Sequence, residues 1–287
     1  MATIFKNEAA EKEYELTYQR SIDRFDMEVS SRYIPTSYGM TYVICIGDPS
    51  KQPLVLLHGM TMSSTMWFPN VKQLTKERCI YAVDVIGDFG RSKPTLPIKS
   101  RNAATQWLLE VLDSLMFTKV DLAGHSMGGF LSLNFALAHP ERVSKLMLYA
   151  PAGTFHRISV KFFTKIYPAL LLHTEKWIDN AFSWFSATGD PLDPIFRAQI
   201  IAGYCNAKPL LQLMPSVFKK AEFQNFNIST LLLIGDKEVI YPAQKALDNA
   251  RIMIPHMEAY LIAGASHSLT MEHAEEVNAL TLQFLRK

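Results

Sequence analysis

Gly124-His125-Ser126-Met127-Gly128 is the stretch whose reading decides the fold. It stands where an apolar strand pattern, Lys119 to Ala123, gives way to a helical one, Met127 to His139. A serine in such a strand-to-helix turn is normally a nucleophile. Its backbone must take a strained conformation that lifts the hydroxyl above the sheet, and bulky side chains two residues to either side would collide with the turn. Glycine has no Cβ to collide, which accounts for Gly124 and Gly128. The bare string occurs by chance; the strand before it and the helix after it make Ser126 a candidate nucleophile.

Outward from this turn, the whole chain of 287 residues is 48% hydrophobic, enough for one large core or for a core with a sizeable insertion. Its 29 Lys and Arg nearly balance 27 Asp and Glu without a basic block, so the electrostatic footprint of a nucleic-acid binder is missing. A small neutral ligand fits better. Cys45, Cys79 and Cys205 form neither a Cys-x-x-Cys pair nor an even set, which argues against a disulfide framework or a zinc ribbon. The first residues lack the apolar run of a secretory signal, and no run approaches the roughly 18 apolar residues that span a bilayer. The expectation is a soluble cytoplasmic protein, monomer or homodimer, with no membrane or nucleic-acid partner.

Residues 6 to 29 are charged and free of Gly and Pro, with Tyr14, Tyr18, Ile22 and Phe25 on one helical face, which predicts a lead helix packed on the outside. Seven β-rich segments follow, near Thr41 to Ile46, Leu54 to Leu57, Cys79 to Val83, Val120 to Ala123, Leu146 to Tyr149, Leu231 to Ile234 and Ala259 to Ile262. Helical patterns separate most of them. That alternation predicts an α/β fold, a mostly parallel sheet with helices on both faces. Runs such as Leu231-Leu232-Leu233-Ile234 suit strands buried on both sides. The rhythm breaks between about Gly153 and Asn225, where aromatics crowd and strands vanish. This predicts core segments at 1–152 and 226–287 around a helical insertion at 153–225. Most of its aromatics would pack the insertion's own core, and the rest, with Trp184 and Phe185 as the candidates, would line an apolar pocket.

A serine hydroxyl needs a base to remove its proton and a third group to orient that base. His267, in Gly264-Ala265-Ser266-His267-Ser268, follows the last strand, and loops at the C-terminal edge of such a sheet are where ligands bind. For the acid, Gly235-Asp236-Lys237-Glu238 offers two carboxylates. Glu238 is the preferred one, being far enough past the strand end to curl back toward a histidine; Asp236 would then be a solvated or loop-capping residue. Chain order becomes Ser126, Glu238, His267. Acyl transfer also needs donors for the negative charge on the carbonyl oxygen. The amides of Met60, in His58-Gly59-Met60-Thr61, and of Met127 are the candidates, with His58, Gly59 and His125 structural.

With His58-Gly59 after a strand, Asp84-Val85-Ile86-Gly87-Asp88-Phe89-Gly90-Arg91-Ser92, the serine turn and Gly264-Ala265-Ser266-His267, the chain resembles the α/β-hydrolase superfamily over roughly residues 38 to 285. Within it the chain is most similar to small bacterial carboxylesterases of the naproxen-esterase type. Two departures from the common pattern carry that likeness: Glu238 where aspartate is usual, and an extra residue, Asp88 or Phe89, in the Asp-x-x-Gly-x-Gly-x-Ser turn. The resemblance implies a lidded serine carboxylesterase acting on small apolar or aryl esters, with no metal and no organic cofactor. Aspartate-nucleophile dehalogenases and epoxide hydrolases do not fit Ser126. A hydroxynitrile lyase, a carbon–carbon bond hydrolase and a non-catalytic ligand receptor stay open, because a fold does not fix a function.

Overall fold

The computed structural model describes residues 3–189 and 192–287. Its strands are β1 Val29–Thr36, β2 Gly39–Ile46, β3 Pro53–Leu57, β4 Cys79–Val83, β5 Lys93–Pro94, β6 Val120–His125, β7 Val143–Tyr149, β8 Ser229–Gly235 and β9 Glu258–Ile262. They form one sheet in the order β1-β2-β4-β3-β6-β7-β8-β9, with the two-residue β5 paired to β2 off that path. From β4 to β9 all pairings are parallel, whereas β2 runs antiparallel to both β1 and β4. Leu57 pairs with Gly124, His125 with Tyr149, and Gly235 with Ile262. This register brings the C-terminal ends of β3, β6, β8 and β9 to one edge, where the loops carrying the candidate residues emerge.

The helices are α1 Glu8–Asp23, α2 Val71–Leu74, α3 Arg101–Ser114, α4 Met127–Ala138, α5 Val160–Leu172, α6 Glu175–Phe185, α7 Pro194–Asn206, α8 Ala243–Met253, α9 Leu269–Glu272 and α10 Ala274–Arg286. Successive strand residues alternate between the two faces of the sheet. Val55, Leu57, Leu122 and Leu232 therefore join one buried cluster with α3, α4 and α8. Leu54, Leu56, Ala123 and Leu233 join the other with α1, α2 and α10. Both faces being covered explains why these strands read as unbroken apolar runs.

Two expectations change. An additional edge strand, β1, exists where the sequence shows no strand pattern: Ser30 to Tyr33 are all exposed, and Pro35 is tolerated because only β2 is a neighbour. The lead helix is shorter than the charged stretch, and it packs on the outside with one face inward, leaving Glu8, Lys12, Glu15 and Gln19 exposed. Asn7 caps it by accepting from the Ala10 amide at 2.9 Å, Tyr14 and Tyr18 are buried, and α1 packs against α7. Between β7 and β8 lie α5, α6 and α7, followed by a stretch without regular structure at 208–219. No helix among the described residues is long and apolar enough to cross a membrane.

Candidate active site

Ser126 sits at φ 52° and ψ −114°, between the end of β6 and the first turn of α4. A non-glycine residue there is strained, and its surroundings hold it. Its amide donates to the Tyr149 carbonyl at 2.9 Å, and its carbonyl accepts from Ala152 at 3.0 Å and Phe130 at 3.1 Å. The flanking glycines are required by close approach. A Cβ on Gly124 would lie 2.2 Å from the Gly128 carbonyl oxygen, and one on Gly128 would lie 2.1 Å from that of Leu57.

His267 and Glu238 come to this serine from the loops after β9 and β8. The Ser126 hydroxyl lies 2.9 Å from His267 Nε2, and His267 Nδ1 lies 2.9 Å from Glu238 Oε2. With the proton on Nδ1 facing the carboxylate, Nε2 is left as the acceptor for the serine hydroxyl. Glu238 Oε1 accepts from the amides of Val239 at 2.8 Å and Ile240 at 2.9 Å, so the fully buried carboxylate is held at both oxygens. Asp236 faces elsewhere: it is exposed, and its Oδ1 accepts from the Gly264 amide at 2.9 Å, tying the β8 and β9 loops together.

The two neighbouring histidines are buried and neutral. Burial pushes the His58 imidazole below its ordinary value; its Nδ1–H donates to the Gly59 carbonyl at 2.8 Å while Nε2 accepts from the Val85 amide at 2.8 Å. Burial, with the nearby His267 adding to it, pushes His125 down to about 3, and its Nε2 meets the His267 carbonyl at 2.8 Å. His125 thus braces the loop that carries the candidate base. Met60 and Met127 both border the cavity, and neither backbone amide donates to a protein acceptor among the described residues.

Over these groups lies a cavity of about 270 Å³ whose walls are mainly apolar. The insertion supplies Phe162, Ile166, Leu170, Phe182 and Phe185 from its helices, and Pro209, Leu211, Met214 and Pro215 from its irregular stretch. The Phe185 ring centroid lies 5.3 Å from that of His267, and the Phe185 carbonyl accepts from Ser268 at 3.2 Å. Trp184 is a correction. It does not line the cavity but packs beside Phe185 with Lys161 Nζ 6.0 Å from its ring, because adjacent helical residues point about 100° apart.

Four polar residues of the cavity wall have no role assigned from the sequence: Thr61, Asp88, Tyr204 and Ser268. Asp88 had been visible only as one of two candidates for an extra turn residue, and Tyr204 only as one aromatic among many. Glu272 also escaped notice; its Oε1 accepts from Ser266 and its Oε2 from Ala187 and Ser186, fastening the end of α6 to the His267 loop. Among the described residues no group of three or more His, Cys, Asp or Glu is placed to hold a metal ion.

Known proteins match this chain over most of its length. The family model described as "alpha/beta hydrolase fold" matches residues 52–274. "Uncharacterized carboxylesterase nap" of Bacillus subtilis (strain 168) is 36% identical over 277 residues, which is 94% of this chain and 91% of that protein. "Carboxylesterase YbfK" of the same organism is 32% identical over 93% of this chain and 92% of its own length. The solved structure of naproxen esterase (carboxylesterase NP) from Bacillus subtilis matches with a TM-score of 0.91 at 34% identity, covering 97% of this chain and 99% of that one. By this family match, as by its sheet order and serine turn, the chain belongs to the alpha/beta hydrolase fold family.

Proposed function

We propose that this protein is a serine carboxylesterase acting on small esters with apolar or aryl groups. One observation carries the reading: a strained serine, a histidine and a buried carboxylate joined by two 2.9 Å hydrogen bonds beneath an apolar cavity. The carboxylesterase names of the full-length relatives point the same way. Ser126 Oγ attacks the ester carbonyl while His267 Nε2 takes its proton. Glu238 holds the imidazole in the required tautomer and stabilises the imidazolium. The amides of Met60 and Met127 receive the oxyanion, which forms in a site shielded from water, where such donors are worth most. His267 then passes its proton to the leaving alcohol, and a water that it activates releases the acid from Ser126. The helices between β7 and β8 act as the lid, and their apolar wall selects aryl or branched groups over charged ones.

Hydrolysis of p-nitrophenyl butyrate tests this directly. Ser126→Ala should lower kcat by roughly 10⁴-fold or more. Glu238→Gln, which leaves the imidazole without its anionic partner, should cost about 10³ to 10⁴-fold. Asp236→Asn should leave turnover at the wild-type level. No ester turnover by the wild type, or turnover indifferent to Ser126, would move the assignment to a lyase or a ligand-binding protein.

A further inference from the structure

Resting on the esterase reading, we infer that Asp88 and Tyr204 are positioning residues that clamp the Met60–Thr61 peptide, so that the preceding amide, that of Met60, stays presented to the cavity. Thr61 has φ 57°. A β-branched residue in this left-handed region is an outlier and needs an outside restraint.

The restraints come from two different parts of the fold. From the turn after β4, Asp88 accepts the Thr61 amide on both carboxylate oxygens, at 3.1 and 3.0 Å, while its Oδ1 also accepts from Phe89 at 2.8 Å. From α7, Tyr204 meets the Thr61 hydroxyl at 2.8 Å. The Thr61 hydroxyl donates to the Met60 carbonyl at 2.7 Å, so Tyr204 is the donor in that pair. Both ends of the Met60–Thr61 peptide are therefore held, the N–H by the core and the C=O by the insertion through Thr61. On the other side, the Gly59 carbonyl accepts from Met62 at 3.3 Å and from His58. Between these anchored peptides the Met60 N–H has no protein acceptor among the described residues. The turn residue next to Asp88 completes the contact: the rings of Phe89 and Tyr204 meet edge to face with centroids 5.5 Å apart. Asp88 and Tyr204 are both buried, so this clamp is shielded from competing water.

An oxyanion donor displaced by a fraction of an ångström stabilises the transition state much less while barely changing how the ester binds. The test measures kcat and KM for p-nitrophenyl butyrate in wild type, Asp88→Ala, Asp88→Asn and Tyr204→Phe, with Ser126→Ala as control. Inhibition by an alkyl trifluoromethyl ketone, whose hemiketal oxygen occupies the oxyanion position, is measured alongside. Asp88→Ala and Tyr204→Phe should each lower kcat about 10-fold or more and weaken the ketone by a similar factor, with KM changed less than about threefold. Asp88→Asn keeps an oxygen that can accept from Thr61 and Phe89, and should recover most of the loss. Unchanged kcat in an enzyme that Ser126→Ala abolishes would overturn the clamp and leave the esterase reading standing. An effect on KM alone would also overturn it, by making Asp88 or Tyr204 a substrate contact. If the wild type shows no Ser126-dependent turnover, the esterase reading itself fails. Should Asp88→Ala unfold, Tyr204→Phe removes a single hydroxyl and carries the same test.

Discussion

Asp88 shows how one side chain makes stability depend on pH. Its carboxyl group is buried and accepts from two backbone amides, and burial raises its pKa from the ordinary carboxylate value to about 7. The amides of Phe89 and Thr61 pull the other way, and Asp84 adds a smaller upward push. The native protein thus keeps a proton on Asp88 that the unfolded chain releases near pH 4. Between those values the native state binds more protons, so stability falls as pH rises. The contribution is fully present below about pH 4 and is lost as pH passes through about 7. The melting temperature of wild type relative to Asp88→Asn should therefore drop between pH 4.5 and 7.5; a constant gap would show that Asp88 is ionised across the whole range. Such behaviour cannot be read from sequence, because it follows from burial among residues distant in the chain. Ser126, His267 and Glu238 were legible because each stands at a strand end with its own local signature. The preference for Glu238 over Asp236 rests on its distance past the strand-ending Gly235, and the geometry supports it by sending Asp236 to Gly264.

At the scale of elements, α6 separates two residues that the sequence reading grouped together. Phe185 faces the cavity and the His267 ring, whereas Trp184 turns away from the lining. Phe185→Ala should raise KM for aryl esters by about 5-fold, corresponding to roughly 1 kcal/mol for an aromatic contact, and should affect acetate esters less. Trp184→Ala should leave both nearly unchanged. Equal effects of the two substitutions would mean that substrate reaches past the cavity wall seen here. Aromatic crowding is enough to place a helical insertion, but it does not say which side of a helix faces in; that needs the register of α6 against the His267 loop. Strand β1 was missed for a related reason. An edge strand with one neighbour and a solvated face carries little apolar alternation, so Val29 to Thr36 resembles a polar linker. The buried strands β3, β4, β6 and β8 carry the opposite signal and were found with their boundaries nearly right.

Over the whole molecule, the lead helix and the insertion are tied to the core by buried polar groups. Gln199 of α7 donates to the Tyr14 hydroxyl of α1 at 3.0 Å and to the Ser63 hydroxyl at 2.8 Å, and accepts from Thr65 at 2.8 Å. Nearby, the Tyr18 hydroxyl donates to Asp84, whose other oxygen accepts from the Ser64 amide at 2.8 Å. Four segments, α1, residues 63–65, Asp84 after β4 and α7, thus meet through adjoining hydrogen bonds beside the loop that carries Met60. A charged, Gly-free helix read by itself shows the apolar face that packs inward but not this polar partner. The network makes a prediction of its own. Gln199→Leu leaves the Tyr14 hydroxyl buried with its partner gone and strips both loop hydroxyls of a bond, so it should cost roughly 2 to 4 kcal/mol in urea unfolding. Tyr14→Phe removes a single acceptor and should cost about 1 kcal/mol. Because both changes break the same contact, the double variant should be less destabilised than their sum by at least about 0.5 kcal/mol. Strict additivity would mean that α1 and α7 are held by packing alone. A separate early transition in Gln199→Leu would show that this side chain is what makes the insertion unfold together with the sheet.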